Sequence, residues 1–305
     1  MKKLIVILTL LTGMYSCRLK YYNVQTNYVD FMAQSKDLNV CKQLKDSAVV
    51  FAVFVDAKNF YPWTEFAVNS TLDSIKRATD WISKEAKMNG IQLKIKTIHH
   101  IDGNKISFEE RKTRAHFNLN QNFTFSKNHR TRKKEYNRLN HWADHVAKYV
   151  GKRTRPNTAK TGSRFKVNSI EHLILTLQDK YKTDNIAVMI FVNGFFQSLP
   201  SVTYHSGYNG LRPEYCVLTE KNPATIAHEF LHLFGAIDLY PNPEFPNFNF
   251  EEIKAIYPDE IMRITHKNID KLMLSPMNKY YIGWQDTLDK SNTRLLYHKA
   301  RVLEY

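Results

Sequence analysis

The stretch NPATIAHEFLHLFGAIDLY, residues 222–240, decides how the rest of the chain is interpreted. Asn222 is a typical helix N-cap, and proline suits the first helical turn, so a helix is predicted from Pro223. Apolar residues occupy most sides of this helix, which predicts that it is buried. Gly235 can adopt a positive φ and end the helix abruptly, after which the chain turns back on itself.

Two histidines in this helix are spaced for metal binding. His228 and His232 are four residues apart, so their imidazoles project from one face and can bind one Zn²⁺. Glu229 lies roughly 100° around the helix axis, beside the open position of the metal. There it can act as general base on zinc-bound water and then as general acid. Asp238, beyond the glycine bend, can reach the same ion and is the predicted third ligand.

The third ligand has alternatives. If Asp238 were only a turn residue at the helix end, a later glutamate, Glu251 or Glu252, would bind the metal. His266 is a further candidate.

Two other histidine pairs are not expected to bind metal. His141 and His145 have the same spacing, but Trp142 occupies the place of the glutamate, and Asp144 is one methylene too short for the inverted motif. We predict that these histidines face solvent on a surface helix. The pair His99–His100 ends a predicted strand and is interpreted as structural.

The run from His228 to Asp238 resembles the metzincin class of zinc peptidases, whose pattern is HExxHxxGxxH followed by a methionine-containing turn. With aspartate as third ligand, it is most similar to the immune-inhibitor-A-like bacterial metallopeptidases. Those proteins have a Gly-x-x-Asp-x-Tyr turn, a later Asp-x-Met segment and a Lys-x-x-x-Gly-Trp ending. The corresponding segments here are Asp259-Glu260-Ile261-Met262 and Lys279-Tyr280-Tyr281-Ile282-Gly283-Trp284.

The resemblance implies a zincin-like α+β fold: a mixed, twisted β-sheet with an antiparallel edge strand, helices against it, and an irregular C-terminal subdomain. It implies a methionine floor beneath the metal, for which Met262 is our choice and Met277 the rival. An extended peptide substrate would pair with an edge strand over Val202 to His205. Tyr240 or His205 would stabilise the oxyanion.

Hydrophobic patterns predict strands and helices in alternation, which describes a mixed sheet with helices packed against it. The predicted strands are Ser47–Val55, Ile91–Ile98, Ile186–Val192, Val202–His205 and Tyr215–Leu218, and the predicted helices include Phe66–Met88 and Ser169–Tyr181. Beyond Leu239 the chain is predicted to be irregular, with one or two short helices.

The length of 305 residues and the hydrophobic fraction of 43% exclude a disordered chain and allow a sizeable core. We predict one metallopeptidase domain over 46–305, with subdomains 46–235 and 236–305, preceded by a lead-in over 18–45.

The formal net charge of +15 is concentrated in one segment, which we call the basic insertion, residues 105–166. It contains seventeen basic and four acidic residues, a net charge of +13, and a predicted helix near Arg132 to Val150. Its charge is typical of a solvated surface or of a site for lipid phosphates, an acidic polysaccharide or an acidic peptide. Nucleic acid is not an expected partner, because no nucleic-acid-binding module is recognised.

The first seventeen residues resemble an export signal. A basic start is followed by the apolar run Leu4–Leu11, which is too short to span a bilayer. The ending resembles a bacterial lipoprotein signal, so we expect Cys17 to be lipidated and the protein to be anchored at the cell envelope; cleavage and free secretion is the alternative. Cys41 and Cys216 would then form one disulfide or remain buried thiols.

Two functions are compatible with these features. The first is a secreted or lipid-anchored zinc endopeptidase that acts on protein or peptide substrates. The second is a non-catalytic surface lipoprotein that contains zinc and binds anionic polymers through its basic insertion. Glu229 favours the enzyme, because a structural zinc site needs no base and prefers four protein ligands.

Overall fold

The computed structural model describes residues 43–56, 61–101, 141–151, 169–194, 201–204, 215–241 and 248–296. The predictions for the signal segment with Cys17, for Cys41, for His205 and for the basic insertion outside 141–151 lie outside the described residues. Among the described helices, none has the length and apolar character needed to cross a membrane.

The described strands form one mixed sheet in the order β2-β1-β3-β5-β4. The strands are β1 (Asp46–Val55), β2 (Leu93–Ile101), β3 (Ile186–Val192), β4 (Val202–Tyr204) and β5 (Tyr215–Leu218). Strands β2, β1, β3 and β5 run parallel, and β4 pairs antiparallel with β5. The three residues of β4 place Thr203 opposite Cys216.

Most strand bounds agree with the sequence patterns, but β2 begins two residues and ends three residues later than predicted. The reason is the end of the preceding helix. The amide of Ile91 donates a 2.9 Å hydrogen bond to the carbonyl of Ala86, so Ile91 still belongs to the turn that closes that helix. Gly90, with φ of +71°, provides the left-handed residue in this turn.

The α-helices are α1 (Glu65–Met88), α2 (Ser169–Tyr181), α3 (Pro223–His232), α4 (Phe250–Ile256), α5 (Pro276–Tyr281) and α6 (Lys290–Leu296). Residues 141–151 are also helical, and Ile269–Lys271 form a 3₁₀-helix. The prediction of one or two short helices after Leu239 is wrong, because the described residues of this part form four short helices. The side chains of Asn249, Asn268 and Ser275 accept hydrogen bonds from the first turns of three of them, and such caps permit helices too short to show a periodic pattern.

Helices cover both faces of the sheet. One set of alternating β1 side chains, including Val50 and Phe54, packs in a buried cluster with α1 and α3. The other set, including Val49 and Val53, packs with α2 and the helix over 141–151. A strand with both faces covered has a nearly continuous run of apolar residues, which explains why β1 is recognisable in the sequence.

The segment after α3 packs against the sheet domain. Its residues Ile261, Met262 and Leu274 belong to the same buried cluster as α1 and α3. The indole nitrogen of Trp284 donates a 2.7 Å hydrogen bond to the carbonyl of Leu44, just before β1. The C-terminal segment is thereby tied to the start of β1.

Candidate metal centre

Helix α3 is fixed at both ends. At its start, Oδ1 of Asn222 accepts a hydrogen bond from the amide of Ala224, while Nδ2 donates to the carbonyl of Thr265 at 2.6 Å. At its end, Gly235 adopts φ of +97° and the amide of Ala236 returns to the carbonyl of Leu231. The chain therefore reverses within a few residues of the second histidine of the motif.

This reversal brings three potential ligand atoms together. Nε2 of His228 lies 3.1 Å from Nε2 of His232, and Oδ1 of Asp238 lies 3.4 Å and 3.1 Å from these two nitrogens. A tetrahedral zinc ion with bonds of about 2.0–2.1 Å holds its ligand atoms about 3.3 Å apart. The three protein atoms thus have the separations that such an ion requires, and this group is the cluster of possible metal ligands among the described residues.

The hydrogen bonds of both imidazoles fix which ring nitrogen faces the centre. Nδ1 of His228 lies 3.0 Å from the carbonyl oxygen of Ile261, and Nδ1 of His232 lies 2.7 Å from that of Ala236. A carbonyl can only accept, so each Nδ1 bears a proton and Nε2 of each ring is the nitrogen that faces the centre.

The carboxylate of Asp238 adds a third potential ligand atom to the two imidazole nitrogens. Oδ1 of Asp238 is buried and accepts no well-formed hydrogen bond within the described part of the chain. It faces Nε2 of His228 and Nε2 of His232 at close range. Such a group is stable only around a proton or a cation, and the residues fit a divalent ion.

The pKa values of His232 and Asp238 indicate that the centre holds a proton when no metal is bound. Burial alone lowers the pKa of His232, but the nearby carboxylates of Asp238 and Glu229 raise it to about 9. Burial alone raises the pKa of Asp238, but the two imidazoles hold it well below its usual value. A proton on His232 therefore balances Asp238 in the metal-free protein, and a bound divalent ion replaces that proton.

Glu229 is buried beside the centre but does not belong to the ligand group. Its carboxylate oxygen Oε2 accepts a 2.5 Å hydrogen bond from the hydroxyl of Thr203, which also lies 3.1 Å from the carbonyl oxygen of Glu229. Sequence reasoning missed Thr203, because the contact joins residues 26 positions apart and no spacing pattern marks it.

The methionine-containing turn lies directly against the ligands. The carbonyl of Ile261 orients His228, and the carbonyl of Met262 accepts a 2.9 Å hydrogen bond from the amide of Leu239, the residue after Asp238. Met262 is fully buried in the cluster that contains α3, whereas Met277 is buried in a separate cluster with Leu239 and α6. The role of Met262 as the floor of the metal site remains a prediction.

A buried polar network, which we call the Glu260–Asn278 network, supports this turn. Oε1 of Glu260 accepts a 3.0 Å hydrogen bond from Nδ2 of Asn278, and Oε2 accepts one from the amide of Ser275. Asn278 also binds the backbone of Ile237, the residue before Asp238. Burial raises the pKa of Glu260 to about 7 despite these hydrogen bonds. The sequence offered Glu260 only as part of a motif and gave no signal for Asn278.

The other candidate residues lie elsewhere. Glu252 pairs with Arg294 and with Asn249, and Glu251 and His266 are exposed, so none of the three alternative ligands joins His228 and His232. His141 and His145 are exposed on their helix, as predicted. His99 and His100 lie in β2, outside the ligand group, and Tyr240 is 39% exposed just beyond Asp238. Cys216 is buried in β5.

Comparison of the chain with protein-family models, with curated proteins and with solved structures finds no match. Function is therefore inferred from the geometry and chemistry of this centre.

Proposed function

We propose that this chain is a zinc-dependent endopeptidase of the metzincin type, with a zincin-like fold. The observation that supports this most directly is the convergence of His228 Nε2, His232 Nε2 and Asp238 Oδ1 within 3.1–3.4 Å of one another. Three protein ligands leave one position for water or substrate, which is typical of catalytic zinc sites and not of structural ones.

Each residue of the centre has a distinct role in this proposal. His228, His232 and Asp238 hold the metal, and the carbonyls of Ile261 and Ala236 keep the two imidazoles in the required tautomer. A bound zinc ion supplies Lewis acidity, which polarises a peptide carbonyl and makes an attacking water more acidic.

Glu229 performs the proton transfers. Its carboxylate accepts the proton of the attacking water and later donates it to the nitrogen of the leaving amine. Since Glu229 is buried on the same helix as two ligands, it is held in place by elements that also hold the metal. A buried carboxylate in this position has no evident purpose in a purely structural site.

The substrate that suits this arrangement is an extended peptide. In the order of the described strands β4 is the last, so its outer edge pairs with no other described strand and suits pairing with a peptide backbone. Met262 forms the apolar floor in this proposal, and Tyr240 is a candidate to stabilise the oxyanion. Export, a lipid anchor on Cys17 and contact of the basic insertion with an anionic surface also remain proposals.

The test measures zinc content and peptide cleavage on the purified chain from residue 18. We expect one zinc per chain and cleavage of a peptide library or casein. Glu229→Gln should retain zinc and lose hydrolysis by about 10²- to 10⁴-fold. His228→Ala should lose both zinc and hydrolysis.

Glu251→Gln is the matched control, because this exposed carboxylate lies outside the ligand group and should change neither quantity. Hydrolysis that persists in Glu229→Gln contradicts the assignment. A zinc-loaded wild type that cleaves nothing but binds lipopolysaccharide or heparin favours the non-catalytic alternative.

A further inference from the structure

Thr203 is buried on β4, and its hydroxyl faces Glu229 of the HExxH helix. The hydroxyl has one proton and two acceptors within reach, the carboxylate oxygen Oε2 at 2.5 Å and the backbone carbonyl of Glu229 at 3.1 Å. The proton goes to the carboxylate, because a charged acceptor forms the stronger hydrogen bond in a buried site.

This hydrogen bond makes the two carboxylate oxygens of Glu229 different from each other. Oε2 is occupied by Thr203, whereas no described residue donates a hydrogen bond to Oε1. The free oxygen is the one that remains for a proton from water. Fixing Oε2 also restricts rotation of the carboxylate, which would otherwise sample several orientations about its last torsion.

The partner of Glu229 is itself held in a fixed position. Thr203 pairs with Cys216 across the antiparallel β4–β5 register, and β5 leads through a short loop into α3, which contains Glu229. The hydrogen bond between Thr203 and Glu229 therefore links β4 directly to α3. Its geometry is set by the sheet and not by a flexible surface side chain.

We propose that Thr203 is a positioning residue, which orients the Glu229 carboxylate so that Oε1 receives the proton from the attacking water. This inference rests on the proposed peptidase function. It goes beyond that function because it assigns a role in the proton transfer to the strand that lines the substrate edge. Loss of the hydroxyl should slow the chemical step and leave substrate binding and metal binding intact.

The test compares Thr203→Val, which removes the hydroxyl at nearly constant shape, with Thr203→Ser, which retains it. Thr203→Val should lower kcat by about 10- to 100-fold with KM within about 2-fold and one zinc per chain. Thr203→Ser should restore most of the lost kcat.

Thr225→Val is the matched control. Thr225 lies on the same helix as Glu229 and is also buried, and its hydroxyl donates a 3.0 Å hydrogen bond to the carboxylate of Glu220, which precedes the helix. This variant should keep the wild-type kcat. An unchanged kcat in Thr203→Val, or a Thr203→Ser variant as slow as Thr203→Val, overturns the inference while the proposed function stands.

A second measurement does not depend on activity. In the metal-free protein, Thr203→Val should lower Tm more in the wild-type background than in the Glu229→Met background, in which the carboxylate acceptor is absent. Equal shifts in Tm contradict the contact itself. If the wild type hydrolyses no peptide, the proposed function fails, and a positive result of this cycle then assigns the hydrogen bond to stability alone.

Discussion

The side-chain amide of Asn278 binds both backbone polar groups of Ile237. Its Oδ1 accepts a 2.8 Å hydrogen bond from the Ile237 amide, and its Nδ2 lies 3.3 Å from the Ile237 carbonyl and 3.0 Å from Oε1 of Glu260. One buried side chain therefore links the residue before Asp238 to the turn that contains Met262. The proposed third ligand, Asp238, is thus positioned by helix α5, far from the HExxH helix in sequence.

Replacing Asn278 with leucine should weaken both the fold and the metal site. The variant removes the partner of the Ile237 amide and carbonyl and the hydrogen bond to Oε1 of Glu260, and buried groups without partners cost about 1–3 kcal/mol each. We expect the free energy of unfolding to fall by about 2–4 kcal/mol in urea titrations. Zinc affinity should fall about 10- to 100-fold in competition with a chelator, because the support of Asp238 is lost.

Asn89→Leu is the control for this prediction. Asn89 ends α1 and its side chain donates one hydrogen bond, to the carbonyl of Glu85, outside the metal centre. Loss of this hydrogen bond should lower the free energy of unfolding by about 1 kcal/mol and leave zinc affinity unchanged. Equal effects of the two substitutions on zinc affinity would show that the Glu260–Asn278 network does not position Asp238.

Gly235→Ala should be more damaging than Gly90→Ala. Both glycines have positive φ, +97° and +71°, so either alanine is strained by roughly 1–2 kcal/mol. At Gly235 the added Cβ would also lie 3.3 Å from the carbonyl oxygen of Tyr281, whereas nothing lies within 4 Å at Gly90. Thermal unfolding should show the larger loss for Gly235→Ala, and zinc titration should show weaker binding for that variant alone. Similar zinc affinity in both variants would refute this role of the bend.

Zinc binding at pH 7 should release about one proton from His232. The pKa of this imidazole is raised to about 9 in the metal-free protein, so it is protonated at pH 7 and must become neutral to bind metal. Isothermal titration in buffers of different ionisation enthalpy measures the proton directly. Affinity should fall about tenfold for each unit by which the pH decreases below 9.

Asp238→Asn provides the comparison for this measurement. Without the carboxylate, burial lowers the pKa of His232, so fewer protons should be released at pH 7 and zinc should bind more weakly. The same proton release in both proteins would mean that Asp238 does not face His232 in solution.

Ionisation of Glu260 should lower the free energy of unfolding as the pH rises. Its pKa is raised from 4.5 to about 7 in the folded protein, so its contribution to stability is fully present below pH 4.5 and is lost as the pH rises through 7. The loss amounts to about 3 kcal/mol on the scale of 1.36 kcal/mol per pKa unit. Urea unfolding of the metal-free protein at pH 5 and pH 8 should show a smaller pH difference for Glu260→Gln than for the wild type. Parallel pH profiles would contradict the raised pKa.

Much of the fold follows from local patterns. The strands at Ile186–Val192 and Tyr215–Leu218 and the helix Ser169–Tyr181 have the bounds predicted from apolar runs and helical periodicity. These elements are recognisable because a buried face requires apolar residues at the period of the element. The start of α3 at Pro223 follows in the same way from its cap. The end of α1 at Met88 also agrees with the prediction, but β2 starts two residues later than predicted, since its start depends on a turn that hydrophobicity does not mark.

The sequence by itself determined the histidine pair, because residues four apart on a helix lie on one face whatever surrounds the helix. Only the tertiary structure decided that Asp238, and not Glu252, meets these imidazoles, and that Thr203 and Asn278 hold the residues around them. Those contacts join residues 26 and 41 positions apart. They depend on how the last strand, the bend and helix α5 pack together, and packing between distant segments leaves no periodic trace in the chain.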